Sequence, residues 1–485
     1  MKNHTMIQYF EWYLPEDAKH WNRLTEDVKH LQCVGFDRIW LPPSYKGQGG
    51  RSDVGYGVYD LYDLGEFDQK GSIPTKYGTK EEYCKAIEAC QKHSIEVLAD
   101  IVFNHRMGAD GTEIIKAREI NWNDRDQSLT GEEEVEVWTK FTFPGRHGKY
   151  SDFTWDWSCF TGTDYDARTK QTKLLEFNYK NWSENVSQEQ GNFDYIMGDD
   201  VDFSNQRVVN ELYAWGKWFM NMTKVDGFRL DALKSIDATF FPGWLHAMRQ
   251  YSQKDLFTVG EYWSGDIGEL KQYLKECSYC TTLFDVPLHF RLRDASTSYD
   301  RYDMSKILEG TLTQEEPQSA VAFVDNHDTQ PSQALESWVE DWFKVHAYAL
   351  ILLRDTLCPC VFYGDYKGIE HSQKNKVPYI EEMVWIRSHL LDTENIENRF
   401  DDIHCIGWYA KGEHPIIVVM TNGLSNKKEF TVTENKSITF IDITDPSNQV
   451  DVFANENGKF VCQDGKCSIF IKKEDYEWMK EELER

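Results

Sequence analysis

Short runs rich in Val, Ile and Phe alternate with longer stretches of helical periodicity over the first four-fifths of this 485-residue chain. The alternation predicts βα units around a parallel sheet. The predicted strands lie at residues 6–12, 38–42, 96–103, 227–231, 257–262, 283–286, 320–325 and 360–363. Eight strands with intervening helices favour an α/β fold, a closed (β/α)8 TIM barrel, over an open doubly wound sheet. No glycine-rich phosphate loop follows the first strand, which argues further against a dinucleotide-binding sheet.

Helical periodicity occurs between several of these strands. The predicted helices lie at residues 19–34, 80–93, 207–224, 267–277 and 338–356. The last segment places apolar residues such as Trp342, Val345 and Leu352 at helical spacing. This spacing is typical of a helix that covers a sheet.

One connection interrupts the alternation. Residues 104–204 separate the third predicted strand from the next helix, a distance far too long for a bare loop. The segment is rich in Trp, Asp, Gly and Tyr, and we predict an inserted subdomain there. Because it leaves the carboxyl end of a barrel strand, we expect it beside the face that carries active sites in such barrels.

The pattern changes again near the carboxyl end of the chain. Turn signals at Asn422-Gly423 and Asn457-Gly458 punctuate short alternating runs, which predict a small antiparallel β domain closed by a charged segment. The runs lie at residues 416–420, 428–432, 437–441, 450–453 and 467–471. The predicted domains are the barrel at 1–103 and 205–396, the inserted subdomain at 104–204, and the C-terminal all-β domain at 397–485.

The composition argues against several classes of function. The chain has 53 Lys and Arg against 81 Asp and Glu, a formal net charge of −28, so neither nucleic acid nor a membrane surface is expected as a partner. No run of 18 uncharged apolar residues is present to span a membrane. The 17 Trp, 25 Tyr and 27 Phe residues are ample for a core and leave flat rings for stacking on sugars.

Eleven cysteines, an odd number, are scattered along the chain. Cys277 and Cys280 form a CxxC pair, but no second pair at zinc spacing accompanies it. Buried free thiols in a reducing compartment are therefore predicted rather than a zinc site.

The first residues lead directly into a strand and do not contain the apolar core of a secretory signal peptide, so a cytoplasmic location is expected. The alternative is a secreted protein whose leader has been removed.

Three acidic residues follow predicted barrel strands. Asp231 ends one strand, Glu261 follows the next, and Asp328 follows residues 320–325. Arg229 and Asp231 are two residues apart and leave the same face of the strand, so we expect the guanidinium to keep Asp231 ionised, as a nucleophile requires. Glu261 has two aromatic neighbours, and apolar surroundings would hold its proton, as a general acid requires.

An ionised and a protonated carboxyl group on neighbouring strands is the arrangement of retaining glycosidases. The residues alone therefore predict a carboxylate hydrolase that acts on a neutral, ring-rich substrate. For any one of the three acids, a solvated loop position is the alternative.

Four segments carry a more specific signal: Asp100-Ile-Val-Phe-Asn104-His105, Gly227-Phe-Arg229-Leu-Asp231-Ala-Leu-Lys234, Gly260-Glu261-Tyr-Trp263 and Phe323-Val-Asp325-Asn326-His327-Asp328. In this order and at these separations they resemble the four motif blocks of the α-amylase family, glycoside hydrolase family 13. With Gly55-Tyr56-Gly57 and residues 284–288, the resemblance spans most of residues 6–370. It is strongest to the bacterial liquefying-type α-amylases, including intracellular members.

The resemblance implies a role for each matching position. Asp231 would be the nucleophile, Glu261 the acid/base, and Asp328 would stabilise the transition state by holding sugar hydroxyls. The remaining implied sugar contacts are Tyr56, Asp100, His105, Arg229, Lys234, Trp263 and His327. For Tyr56 and Trp263, simple core packing is the alternative.

Oxygen-bearing residues in and beside the inserted segment indicate a calcium site, because hard oxygen donors without Cys or a His cluster suit Ca²⁺. The resemblance implies one structural ion held by Asn104, Asp194, Asp200 and the backbone carbonyl of Ser235. A solvated acidic loop is the alternative.

An additional calcium–sodium cluster is not expected. The positions where secreted relatives typically carry aspartates for it hold hydroxyl residues here, Thr161, Ser183 and Ser204. Hydroxyl groups are weaker, uncharged ligands, so lower heat resistance and sensitivity to chelator are the expected consequences.

The expected activity is that of an endo-acting, retaining α-amylase on internal α-1,4-glucosidic bonds of starch, glycogen or maltodextrins. A transglycosylase or exo-acting maltogenic enzyme of the same fold is one alternative. A glycan-binding protein without activity is another, although the presence of all three acids and Arg229 argues against it. A monomer is expected.

Overall fold

The computed structural model describes residues 3–432, 436–453 and 456–484. Its centre is a barrel of eight short parallel strands that neighbour one another in chain order. The strands are β1 Met6–Gln8, β2 Arg38–Leu41, β3 Glu96–Ile101, β4 Gly227–Leu230, β5 Phe257–Gly260, β6 Thr282–Phe284, β7 Ala320–Val321 and β8 Cys360–Phe362. Each overlaps one of the eight predicted strands.

The barrel closes through β1 and β8. Met6 of β1 lies opposite Arg38 of β2 on one side and Cys360 of β8 on the other. Just beyond β7, Phe323 forms a parallel bridge to Cys360, whose N–H donates to the carbonyl of Ala322 at 2.8 Å. The predicted TIM barrel is therefore confirmed, and the carboxyl ends of its parallel strands meet at one rim.

Helices cover the barrel and connect its strands. They are α1 His20–Val34, α2 Lys80–Lys92, α3 Gln206–Thr223, α4 Phe240–Ser252, α5 Ile267–Glu276, α6 Val286–Ser298, α7 Leu312–Glu315, α8 Lys344–Leu352, α9 Tyr363–Lys367 and α10 Ile380–His389. Short 3-10 turns lie at Gly50–Ser52, Pro144–Arg146, Trp157–Cys159, Leu233–Ser235, Tyr299–Arg301, Met304–Lys306, Pro317–Ser319 and Asp341–Phe343. The start of α2 shows how the sequence sets a boundary, because Thr79 and Glu82 form a reciprocal capping box.

The predicted helix at residues 338–356 is wrong in its extent. The α-helix covers only Lys344–Leu352, and a 3-10 turn at Asp341–Phe343 precedes it. The N–H of Val339 donates to the buried carboxylate of Asp325 at 3.2 Å. A tertiary contact therefore holds the beginning of this segment outside the helix.

The segment between β3 and α3 forms an antiparallel sheet. Its strands are His105–Arg106, Gly111–Asn121, Asp124–Ser128, Glu133–Lys140, Phe160–Asp166, Gln171–Phe177 and Asp199–Val201. The first and last of these pair with each other, so that Asp200 lies opposite His105. The inserted sheet therefore begins and ends beside the carboxyl end of β3. A separate two-stranded ladder joins Lys46–Gly47 to Val58–Asp60.

The C-terminal part forms a six-stranded and a two-stranded antiparallel sheet, which confirms the predicted β domain. Its strands are Ile396–Arg399, Cys405–Ala410, Ile416–Thr421, Asn426–Thr431, Ile438–Asp442, Asp445–Val452, Asn457–Cys462 and Cys467–Lys472. Tyr409, Phe430 and Phe440 belong to a core of its own. The charged end of the chain forms α11 Lys473–Leu483.

The predicted turn at Asn457-Gly458 is wrong. These two residues begin the strand Asn457–Cys462, which pairs with Asn426–Thr431 over six residue pairs. Cross-strand pairing therefore overrides the local turn preference of the Asn-Gly dipeptide.

In the part of the chain that the structure describes, no helix is long and apolar enough to cross a membrane.

Gly227 at the start of β4 is expected to resist substitution. A Cβ atom there would lie 2.1 Å from the backbone oxygen of Phe257 on β5, with which Gly227 pairs in register. Because backbone in the barrel wall has little freedom to move, Gly227→Ala is expected to lower the free energy of unfolding by about 1–3 kcal/mol. Urea unfolding measures this. Gly131→Ala is the matched control, since its Cβ would meet nothing within 4 Å; equal losses in both variants would contradict the explanation.

Candidate active site

The backbone of the barrel places two of the predicted acids side by side. The N–H of Asp231 donates to the carbonyl of Ile101 at 3.0 Å, and the N–H of Glu261 donates to the carbonyl of Leu230 at 2.9 Å. The parallel ladder thus continues past the ends of β4 and β5 and fixes the backbone of both acids. Their side chains leave from neighbouring points on the carboxyl rim.

Arg229 lies at the centre of the cluster. Its Nη1 donates to Asp231 Oδ1 at 2.6 Å and to Asp100 Oδ1 at 2.9 Å, and its Nη2 lies 2.9 Å from Glu261 Oε2. Only 1 % of Arg229 is exposed, and a buried guanidinium requires such partners. One side chain therefore brings Asp231 and Glu261 together.

Asp100 holds this arginine from the barrel side. Its Oδ2 accepts hydrogen bonds from Trp40 Nε1 and from the Tyr56 hydroxyl, both at 2.9 Å, while Oδ1 accepts from Arg229. The residue is 1 % exposed. Three protein donors occupy the carboxylate, so in this structure Asp100 acts as an anchor for Arg229 and Tyr56.

Burial dominates the protonation of the acids. It raises the pKa of Asp231 well above the ordinary value; Arg229 lowers that pKa, and the negative charge of Glu261 raises it. Burial, again with Glu261, raises the pKa of Asp328 to about 7. The loss of hydration therefore favours the neutral acid, and the attraction of a guanidinium shared among three carboxylates opposes it. The expectation that Arg229 keeps Asp231 ionised stays a prediction.

His327 lies between Gln8 and Asp328. Burial, with a contribution from Arg229, lowers its pKa well below 6.5. The side-chain amide of Gln8 lies 3.1 Å from His327 Nδ1; with the amide NH2 as donor, the ring proton is on Nε2. That nitrogen lies 3.4 Å from Asp328 Oδ2. The histidine therefore offers an N–H beside a carboxyl group.

Three aromatic rings lie parallel beside this cluster of acids. The rings of Tyr56 and His327 are 5.0 Å apart at 8°, and the indole of Trp12 is 6.1 Å from each, at 1° and 8°. Parallel flat faces of this kind suit the apolar faces of sugar rings. The sequence reasoning missed Trp12 because it placed this residue inside the first strand, whereas β1 ends at Gln8.

The other predicted contacts lie around this centre. His105 Nε2 is 2.7 Å from the carbonyl of Tyr56, and His105 is buried. Lys234 Nζ lies 3.4 Å from the carbonyl of Trp263 and forms an ion pair with Glu189 of the inserted segment. The structure thus brings all ten predicted catalytic and sugar-binding residues to one end of the barrel.

The family model described as "Alpha amylase, catalytic domain" matches residues 15–411. The chain belongs to the α-amylase family. It is a glycoside hydrolase, and the family expected from the four motif blocks is confirmed.

Curated relatives and a solved structure agree with this assignment. An α-amylase of Geobacillus stearothermophilus is 44 % identical over 482 residues, which cover 97 % of this chain and 87 % of the relative. The cytoplasmic α-amylase of Escherichia coli is 41 % identical over 496 residues, covering 98 % of this chain and 100 % of that protein. Its name agrees with the predicted cytoplasmic location. The crystal structure of an Anoxybacillus α-amylase shares the fold, with a TM-score of 0.63, 16 % identity and 97 % coverage of both chains.

In this α-amylase family member, three of the predicted calcium ligands, Asn104, Asp194 and Asp200, lie where the inserted sheet meets the barrel. The N–H of Val201, next to Asp200, donates to the carbonyl of Asn104 at 2.9 Å. Asp194 and Asp200 lie within hydrogen-bonding distance of each other. Burial raises the pKa of Asp194 to about 7 and that of Asp200 well above its ordinary value.

The donor set fits a hard cation. Both polar side-chain atoms of Asn104 are buried and have no hydrogen-bond partner, which leaves an amide oxygen available beside two buried carboxylates. Ser235 is also buried, in the 3-10 turn after β4. Among the described residues, no three His, Cys, Asp or Glu side chains are grouped so that they could hold a metal ion. The predicted set has only two such side chains, and its other two ligands would be neutral oxygens.

The three hydroxyl residues nearby bond to acids. Thr161 Oγ1 donates to Asp200, Ser183 Oγ donates to Asp237 at 3.0 Å, and Ser204 Oγ donates to Asp202 at 2.5 Å. Lys180 also forms an ion pair with Asp202. A cavity of about 370 Å³ lies beside these residues. Lys180 and the hydroxyl donors therefore already compensate part of the negative charge around it.

Proposed function

We propose that this chain is an endo-acting, retaining α-amylase that hydrolyses internal α-1,4-glucosidic bonds of starch, glycogen or maltodextrins. The supporting observation is the position of Asp231 and Glu261 on the two terminal nitrogens of Arg229, 2.6 and 2.9 Å away. Two carboxyl groups held side by side match the close pair of a retaining glycosidase. The relatives named α-amylase support the substrate class.

The reaction takes two steps. First, an oxygen of Asp231 attacks the anomeric carbon while Glu261 gives its proton to the glycosidic oxygen, which leaves with the other half of the glucan. A glucosyl ester on Asp231 results. Then Glu261, now ionised, takes a proton from water, whose oxygen attacks the same carbon and releases Asp231. Two inversions retain the α-configuration.

The charges of the cluster support this division of roles. Asp100, Asp231, Glu261 and Asp328 lie around one buried cation, Arg229. Full ionisation would leave three uncompensated negative charges in a poorly hydrated site, which is strongly disfavoured. The cluster therefore retains protons near neutral pH. A proton on Glu261 serves the leaving group, and the short contact with Arg229 favours Asp231 as the anion.

The remaining residues are assigned to the sugars. We assign His105, His327 and Asp328 to hydroxyl groups of the sugar at the cleavage point, because an N–H next to a carboxyl group can hold a hydroxyl from both sides. Tyr56 stacks on that ring. For the sugars beyond the cut, the proposed contacts are Lys234 and Trp263.

The anomeric form of the product tests the mechanism. Freshly released reducing ends from a soluble maltodextrin are followed by proton NMR before mutarotation. The α-anomer is expected. Release of the β-anomer would overturn the double displacement, and no release would contradict the substrate class.

The size of the early products tests the endo-acting cleavage. A long maltodextrin labelled at its reducing end should give fragments of intermediate length at low conversion. A single short product from the outset would show exo-action, and products longer than the substrate would show transglycosylation.

We propose one structural calcium ion, held by Asn104, Asp194, Asp200 and the carbonyl of Ser235. When bound, the ion would neutralise the two buried carboxylates and cross-link the inserted sheet to the barrel. The hydroxyl contacts of Thr161, Ser183 and Ser204 support the absence of an additional calcium–sodium cluster.

Removal of calcium is expected to lower the thermal unfolding temperature. Binding at a free calcium concentration about a hundred times the dissociation constant stabilises a protein by about 2.7 kcal/mol. Thermal unfolding with EDTA and with added calcium measures the shift. Asp200→Asn, which lacks one carboxylate ligand, should unfold at nearly the same temperature in both conditions. Unchanged unfolding of the natural sequence in EDTA would contradict a structural calcium ion.

We also propose the cytoplasm as the location, as the name of the Escherichia coli relative supports. The proposed partner is an α-glucan, with neither nucleic acid nor membrane, and the proposed state is a monomer.

The proposed division into domains is 1–103, 104–204, 205–396 and 397–485. Strand pairing breaks between the barrel and the sheet that starts at Ile396, which supports the last boundary.

A further inference from the structure

Cys277 and Cys280 bracket a tight turn between α5 and β6. Cys277 follows the last residue of α5, and Cys280 lies two residues before the first residue of β6. The N–H of Cys280 donates to the carbonyl of Cys277 at 3.1 Å, which closes a four-residue turn. Such a turn brings its first and last Cα atoms within about 7 Å, and a disulfide spans Cα separations of about 4.4–6.8 Å.

The backbone of this turn is strained. The two central residues, Ser278 and Tyr279, have φ values of 54° and 52°, in the left-handed region that favours glycine or asparagine. Tyr279 is 49 % exposed, so burial of its ring does not account for the conformation. Positions one and four of a turn with two left-handed residues face each other across it. The strained backbone therefore holds the two cysteines together.

The two thiol groups lie close enough to interact. The thiol of Cys280 lies within hydrogen-bonding distance of Cys277 Sγ, and Cys277 Sγ also lies 3.5 Å from the carbonyl of Leu274. Cys277 is buried, whereas Cys280 is half-buried. The hydrogen bond from Cys280 lowers the pKa of the Cys277 thiol, which favours its reaction as a thiolate.

Other neighbouring cysteines lack this access. Cys358 and Cys360 are both buried, as are Cys462 and Cys467. Cys33 is exposed but lies on α1, away from this turn. The combination of a paired sulfur and access to solvent thus distinguishes Cys277 and Cys280.

We propose that Cys277 and Cys280 form a reversible disulfide when the protein meets a peroxide. The peroxide oxidises one sulfur of the pair, as a thiolate, to a sulfenic acid and is itself reduced to an alcohol, or to water in the case of hydrogen peroxide. The other sulfur then loses its proton and attacks the oxidised one, the S–O bond breaks, and the hydroxide leaves as water after taking up a proton. Two thiols and one peroxide yield one disulfide, and a dithiol reverses the reaction.

The position of the turn determines what the disulfide would affect. The carbonyl of Cys280 accepts hydrogen bonds from Arg249 Nη2 at 3.0 Å and from Thr258 Oγ1 at 3.4 Å. These contacts join the amino ends of β5 and β6, at the barrel face opposite Asp231. In barrels of this kind that face serves stability. The disulfide is therefore expected to raise resistance to heat and to leave the rate on maltodextrin unchanged.

The test uses the full-length protein. It is treated with hydrogen peroxide, unfolded, alkylated and digested. The peptide that contains both cysteines should lose two hydrogen atoms, escape alkylation and recover both thiols after dithiothreitol. Thiol titration of the unfolded protein should fall by two.

Two variants serve as controls. In Cys280→Ser the peptide should no longer lose two hydrogen atoms after peroxide, whereas Cys33→Ser should still form the disulfide. Alkylation of both Cys277 and Cys280 in the peroxide-treated natural sequence would overturn the proposal, as would a disulfide that pairs either one with a different cysteine.

Discussion

Asp231→Asn is expected to lower kcat on maltodextrin by at least about 10⁴-fold, because an amide does not form the glucosyl ester on which the two-step mechanism depends. Asparagine has the same shape, and burial already disfavours the charged form of Asp231. The variant should therefore unfold at or above the temperature of the natural sequence. Initial rates of reducing-end release, measured with thermal unfolding, check both expectations.

Glu261→Gln is the matched control, because it removes the acid and keeps the nucleophile. It should lose most activity on maltodextrin but still release fluoride from an α-maltosyl fluoride in a first burst, because fluoride leaves with little protonation. Later turnover should be slow, since the second step needs Glu261 as the base. Asp231→Asn should be inactive on both substrates. If the two variants lost activity on the two substrates to the same degree, the assignment of nucleophile and acid would be contradicted.

Lys344→Met is expected to lower the free energy of unfolding by about 3–5 kcal/mol at pH 8, because it leaves two buried carboxylates without their cation. Lys344 is 1 % exposed, and its Nζ donates to Asp325 Oδ2 at 2.6 Å and to both oxygens of Asp365 at 2.7 and 2.8 Å. Asp325 also accepts from the hydroxyl of Thr329 at 2.7 Å, so the same network supports the loop that carries Asp328.

The loss should depend on pH in a defined direction. Burial raises the pKa of Asp365 to about 6 even with Lys344 present, since Lys344 lowers that pKa only in part. Without Lys344 the pKa rises further, so the folded variant keeps protons that the unfolded chain, with a pKa near 4, releases. The variant should therefore be destabilised less at pH 5 than at pH 8.

Urea unfolding at the two pH values measures this dependence. Lys217→Met, at an exposed position of α3, is the matched control and should change stability little at either pH. A loss in Lys344→Met that is the same at pH 5 and pH 8 would contradict the assigned role of the buried carboxylates.

The periodicity of the chain identified the barrel but not all of its helices. The eight strands are apolar runs bounded by polar residues, and each was found. α4, α6, α7, α9 and α10 were not predicted, and α8 was predicted too long. Every residue of α8 except Val345 is buried, so the helix shows no polar stripe that would reveal its period.

The candidate site was predicted as a set of residues but not as an arrangement. The motif blocks indicated Asp231, Glu261, Asp328 and Arg229. They gave no sign that one guanidinium contacts both Asp231 and Glu261, or that Trp12 lies parallel to Tyr56. These contacts join residues far apart in the chain, and no local pattern encodes them.

The sequence by itself determined the order of strands, the inserted segment, the C-terminal β domain and the identity of the acids at the strand ends, because strand periodicity, turn residues and motif spacing are local properties. Only the tertiary structure decided which groups share a partner and which are dehydrated. The direction of the pKa shift of Asp231 is the clearest case, since it depends on burial and on the distances to Arg229 and Glu261, and these quantities exist only once the barrel has closed.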